Sequence, residues 1–140
     1  MARMVRACRT DPAVRDRACA LVASVPEKDT LAEAKALHQW VRDNIRYTSD
    51  IHDVETLQDP TILMRSGHGD CDDKTVLLAC LAQTVGIPAR LVAVGFEHGV
   101  YTHVLPQLMI NGEWVSAETT EPVSLGWFPS DVVDCLVVEV

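Results

Sequence analysis

Apolar residues recur at helical spacing through the first half of this chain and give way to runs of β-branched residues after Pro88. Thr10-Asp11-Pro12 opens a helix with proline near its first position, and Ala13 to Ser24 continue it until Pro26. Thr30 with Glu33 three residues on reads as the capping box of a second helix. Its apolar positions Leu31, Ala34, Leu37, Trp40, Val41 and Ile45 fall on one face, so that face is core and Trp40 belongs to it. Arg46 to Ser49 reads as a short extended piece. Ile51 to Gly69 is irregular apart from a turn of helix over Pro60 to Met64. A third long helix starts near Cys71 and stops at Gly86. It is apolar nearly all round, so it should be central and buried.

Four strands follow: Arg90 to Phe96, Tyr101 to Ile110, Glu113 to Thr119 and Val132 to Val140. Asn111-Gly112 is a two-residue hairpin turn between the second and third. Helices first and consecutive strands afterwards predict an α+β fold, with the Cys71 helix packed on an antiparallel sheet. No internal repeat, low-complexity tract or linker divides the sequence, so residues 1–140 are read as one domain.

Composition narrows the function classes. Hydrophobic content of 48% and charged content of 23% describe a soluble globular chain. No apolar run approaches the ~18 residues of a membrane span. The arginine-bearing start, Met1 to Asp11, lacks the apolar stretch of a secretory signal. A net charge of -8 argues against nucleic acid or an anionic membrane as partner. Five cysteines without C-x-x-C spacing suggest neither a disulfide framework nor a zinc site, and synthesis in a reducing cytoplasm is the simplest inference.

Chemistry concentrates at Gly67-His68-Gly69-Asp70-Cys71-Asp72-Asp73-Lys74. Glycines allow a tight turn and close approach of a ligand. An aspartate cap would place Cys71 in the first turn of a helix, where the dipole favours thiolate. Cys80, in the apolar part of the same helix, reads as a structural cysteine. A nucleophilic thiol needs a base and a group to orient it. Of the histidines, His38 lies inside a helix and His52, His68 and His98 lie in loops. His103 stands on a strand leading into the hairpin and is the candidate base. Counting back from the turn pairs Ile110 with Glu113 and sets His103 opposite Thr120, which places Glu118 diagonally on the same face. Trp114 shares that face as a potential shield, and a bulge at Pro106 would break the register. Gln58, upstream of the thiol, is open to two readings, a solvated loop glutamine or a second donor to a developing oxyanion beside the Cys71 backbone N–H. The alternative for Asp70, Asp72 and Asp73, a cation site with Asp50 or Asp53, is weaker than their reading as caps and dipole partners, and no metal or cofactor is expected.

Gly-x-Cys at a helix start, a strand histidine, then Gly112-Glu113-Trp114 and Glu118-Thr119 resemble the transglutaminase-like superfamily, a circularly permuted relative of papain-like cysteine proteases. The resemblance spans roughly Leu37 to Pro122. It implies a triad of Cys71, His103 and Glu118, with glutamate where the family usually has aspartate. It also implies attack on a peptide or protein amide through a thioester, ending in hydrolysis or acyl transfer. Small single domains of this type are familiar from bacterial and phage genomes. That suggests a phage-tail enzyme, made in the cytoplasm and carried in the virion, acting on cell-wall peptide or tail proteins. The competing reading is a non-enzymatic tail or baseplate component. Its support is the apolar C-terminal strand Asp134 to Val140, suited to joining a partner's sheet. A third reading is a cytoplasmic housekeeping amidase.

Overall fold

The computed structural model describes residues 1–49 and 56–140, so Asp50, His52 and Asp53 lie outside the described residues. Five helices and six strands follow in the order α1 (Ala2–Cys8), α2 (Pro12–Val22), α3 (Thr30–Asn44), β1 (Arg46–Tyr47), α4 (Pro60–Ser66), β2 (His68–Gly69), α5 (Cys71–Thr84), β3 (Ala89–Gly95), β4 (His103–Ile110), β5 (Glu113–Ser116) and β6 (Asp134–Glu139) among those residues. The α+β class is as the sequence predicts.

Local chemistry accounts for most boundaries. Asp11 accepts from the Ala13 and Val14 N–H groups with Pro12 next in line, a cap that starts α2. Helix α3 is capped one residue earlier than the Thr30–Glu33 box would have it, by Asp29 accepting from the Ala32 N–H at 3.0 Å. Asparagine and glycine at the β4–β5 turn have φ values of 52° and 87°, the left-handed pair of a type I′ hairpin. Helix α1 was not anticipated, being only two turns long with no side-chain cap.

The sheet runs β5-β4-β3-β6, antiparallel throughout, and a second, two-stranded sheet pairs β1 with β2 in parallel. Helix α5 is buried at every residue from Asp73 to Ala82 and packs on β4, with α1, α2 and α3 around it. Full burial of side chains such as Leu77, Leu78 and Leu81 contributes roughly 1.5–3 kcal/mol each. Val92, Val94 and Leu105 form a smaller cluster covered by Phe128 and Val132. Cys80 is indeed interior, but it is disulfide-bonded to Cys8, which fastens α1 to α5. The sequence offered no sign of this pair because its members stand 72 residues apart and no short spacing announces them.

Pro106 does not bulge the sheet. Its carbonyl accepts from the Ala117 N–H at 2.9 Å, continuing the Gln107↔Ser116 register. Lacking an N–H, it returns no bond, and the regular ladder ends there. Thus β5 stops at Ser116 rather than Thr119, while Glu118 keeps the face the hairpin count assigned to it.

Candidate active site

Cys71 is the first residue of α5, and the turn before it is built for close packing. Asp70 accepts from the Asp73 N–H at 3.0 Å, and the Asp73 carboxylate accepts from the Asp70 N–H at 3.3 Å, a reciprocal capping box. A Cβ on Gly69 would lie 2.6 Å from Leu63 Cδ1 and 2.8 Å from Asp73 Cβ, so only glycine fits this approach. Asp73 is buried and also accepts from the Gln58 backbone N–H at 2.7 Å.

The structure brings Cys71, His103 and Glu118 together. His103 Nε2 and Glu118 Oε2 are 2.6 Å apart, and the Cys71 side chain is the ring's other hydrogen-bonding neighbour. With Nε2 held by the carboxylate, Nδ1 is the nitrogen left to serve the sulfur. Burial alone would lower the His103 pKa. Hydrogen bonding with Cys71 and Glu118, and the Glu118 charge, outweigh it and raise the pKa to about 10. Burial likewise opposes ionisation of Glu118, but bonds from His103 and Thr120 prevail and hold its pKa at about 2. Through neutral pH the pair is therefore imidazolium and carboxylate, and being coupled it titrates as a unit.

Glu118 is fixed more firmly than its status as the family's unusual third member suggested. Its Oε1 accepts from the Thr120 N–H at 2.6 Å and the Thr120 hydroxyl at 2.7 Å. Its backbone carbonyl accepts from the Nε2–H of buried His38. Burial lowers the His38 pKa, so that ring is neutral, and a carbonyl partner fixes the tautomer with hydrogen on Nε2. Lys74, only 2% exposed, donates to the Ile45 carbonyl at 2.7 Å and ties the start of α5 to the end of α3. Burial lowers its pKa too. Sequence reading missed the parts played by His38, Lys74 and Thr120. Only Thr120 left a local signal, a hydroxyl two residues after a carboxylate.

Gln58 must be corrected. Its amide nitrogen donates to Asp73 Oδ2 at 2.8 Å and to the His68 carbonyl at 3.0 Å. Both amide hydrogens are thus committed, and Gln58 locks the loop before α4 onto the base of α5 rather than offering an oxyanion donor. Trp114 lies on the outer face of the hairpin but stacks under Arg90, whose guanidinium is 4.4 Å from the ring centre. The open cleft of about 450 Å³ beside His103 and Glu118 is walled instead by Tyr47, Phe96 and Trp127. The sulfur also sits 3.6 Å from Asp72 Oδ1, a carboxylate whose charge opposes that of a thiolate.

Comparison with known proteins matches the chain to one family. The model of the Transglutaminase-like superfamily matches residues 19–119, a span that holds Cys71, His103 and Glu118. No curated protein sequence matches significantly. A candidate protease from Parabacteroides distasonis superposes with a TM-score of 0.70 at 14% identity, over 84% of this chain and 25% of that one. A candidate cysteine protease from Cytophaga hutchinsonii gives 0.63 at 17% identity, over 91% and 46%. LapG of Legionella pneumophila gives 0.63 at 14%, over 98% and 86%. The chain thus spans less than half the length of the first two, and at these identities the likeness is one of fold. By the family match over most of its length, the chain belongs to the transglutaminase-like superfamily.

Proposed function

We propose that the protein is a cysteine-dependent peptidase or amidase. The observation that carries this reading is the His103–Glu118 contact of 2.6 Å, with the helix-start cysteine as the ring's other neighbour. The family match and the two candidate proteases among the structural neighbours support it.

In this mechanism Cys71 attacks an amide carbonyl carbon as the thiolate, its proton already carried by His103 as the imidazolium. The Cys71 N–H, in the first turn and without an intrahelical acceptor, faces the developing oxyanion. The imidazolium protonates the leaving nitrogen as the C–N bond breaks, and a thioester remains. Water, deprotonated by His103, then adds to the thioester, the C–S bond breaks, and the acid leaves behind the thiolate beside the imidazolium. Glu118 stabilises the imidazolium and holds its orientation without taking its proton. An amine in place of water would give acyl transfer by the same steps. Hydrolysis is favoured here because the cleft is open to solvent, so water reaches the thioester.

A phage-tail setting and a cell-wall or tail-protein substrate complete the proposal and rest on the resemblance of the Gly-Asp-Cys-Asp-Asp start. A structural tail component remains the second reading. Its supporting observation is β6, an edge strand with Leu136, Val137 and Val138 all exposed. Turnover of a peptide library followed by mass spectrometry, with Cys71→Ala as control, separates the two. Cleavage that vanishes in the variant supports the peptidase. Cleavage that survives in it sinks the mechanism.

A further inference from the structure

The cleft contains more than the reactive groups. Besides His103 and Glu118 it is lined by Glu121 and Asp131, both exposed, and by the aromatic rings of Phe96 and Trp127. Phe96 and Trp127 are 38% and 40% exposed, large apolar surfaces turned toward solvent at the mouth of a polar site. Neither Glu121 nor Asp131 is in an ion pair among the described residues, and no lysine or arginine lines the cleft. Exposed aromatic faces beside free carboxylates attract one chemical class, organic cations, through ring quadrupole and charge together. The one cationic lining group, His103, is already neutralised by Glu118.

We propose that this cleft selects peptide substrates carrying a cationic side chain, of the lysine, arginine or diamino-acid type, beside the bond presented to Cys71. Glu121 and Asp131 supply the charge, and Trp127 and Phe96 the faces on which an ammonium or guanidinium group rests. The net charge of -8 reinforces the preference at long range. Cys71 is not itself in the lining but is a neighbour of His103, which is, and the inference rests on Cys71 being the reactive group.

The test uses the folded protein and three methanethiosulfonate reagents: trimethylammonioethyl (cationic), sulfonatoethyl (anionic) and methyl (neutral). Rates at Cys71 are followed by peptide mass spectrometry, because Cys19 and Cys135 are also free, and are normalised to those of mercaptoethanol. The expected result is a cationic-over-anionic preference on the order of tenfold. It should shrink severalfold in Glu121→Gln/Asp131→Asn. Trp127→Leu should slow the cationic reagent and leave the neutral one unchanged. Asp16→Asn/Glu27→Gln removes two charges from exposed positions outside the cleft and serves as control. A ratio near one, or an equal loss of preference in both double variants, would overturn the proposal by assigning the effect to overall charge. If Cys71 resists the neutral reagent as well, the mechanism itself fails, and this inference with it.

Discussion

At the scale of single residues, the proposed mechanism rests on three side chains, Cys71, His103 and Glu118, and a fourth opposes it. Removing either Cys71 or His103 by alanine substitution should abolish amide cleavage, and the double variant should be little worse than either, since the two act as a unit. Glu118→Gln keeps the shape but loses the charge opposite the imidazolium, and a fall in kcat of ~10²–10⁴ is expected, with KM little changed. Steady-state kinetics on one peptide would check all three. Asp72 pulls the other way, its carboxylate lying 3.6 Å from the sulfur. Asp72→Asn should therefore speed Cys71 alkylation severalfold at neutral pH, and a slower rate would mean that Asp72 helps to hold the sulfur in place. Cys71, His103 and Glu118 were legible in the sequence because helix-start chemistry and a two-residue hairpin are local rules. His38 and Lys74 were not, because each acts across a packing interface on a backbone carbonyl, His38 on Glu118 and Lys74 on Ile45. No spacing encodes such a contact.

At the scale of elements, the start of α5 is held by a partly buried polar knot of Asp70, Asp73, Gln58 and the His68 carbonyl. Gly69 is its tightest point. Gly69→Ala places a methyl where two side-chain carbons already stand, and a loss of roughly 1–3 kcal/mol by urea denaturation is expected. An unchanged midpoint would show that Leu63 and Asp73 can give way. Apart from α1 and β2, the helices and strands followed from periodicity and β-branched runs, and the hairpin from Asn111-Gly112. The misassignments have physical reasons. Gln58 was chosen by position along the chain, whereas Asp73, buried at the helix start, claims its amide. Strand β5 ends early because Pro106 has no N–H to give. The apolar C-terminal strand, read from sequence as suited to joining a partner's sheet, is β6, which lies at the sheet edge with Leu136, Val137 and Val138 exposed.

At the scale of the whole molecule, helix and sheet meet at the site, and its ionisation is coupled to stability. His103 has its pKa raised from 6.5 to about 10 in the fold, so the stability it contributes is fully present below pH 6.5 and is lost as pH rises toward 10. Glu118 is lowered from 4.5 to about 2, so its contribution is present above pH 4.5 and is lost as pH falls toward 2. Melting temperature should then be highest between about pH 4.5 and 6.5 and decline on both sides. In His103→Ala the alkaline decline should flatten, and a wild-type profile in that variant would place the coupling elsewhere. The Cys8–Cys80 bridge closes a long stretch of chain and joins α1 to the back of the helix that carries Cys71. Bridges of this kind persist where the surroundings are oxidising. Cys8→Ser should lower stability by ~2–4 kcal/mol while leaving the chemistry intact.

The proposed mechanism requires that His103, held by Glu118, set Cys71 apart from the other free thiols. The most direct measurement is the rate of iodoacetamide alkylation of each free cysteine in folded protein at pH 6, in the native sequence and in His103→Ala. Cys71 should react at least tenfold faster than Cys19 and Cys135, and in the variant it should slow to their level while they stay unchanged. A Cys71 that reacts no faster than Cys19, or that keeps its rate without His103, would contradict the account.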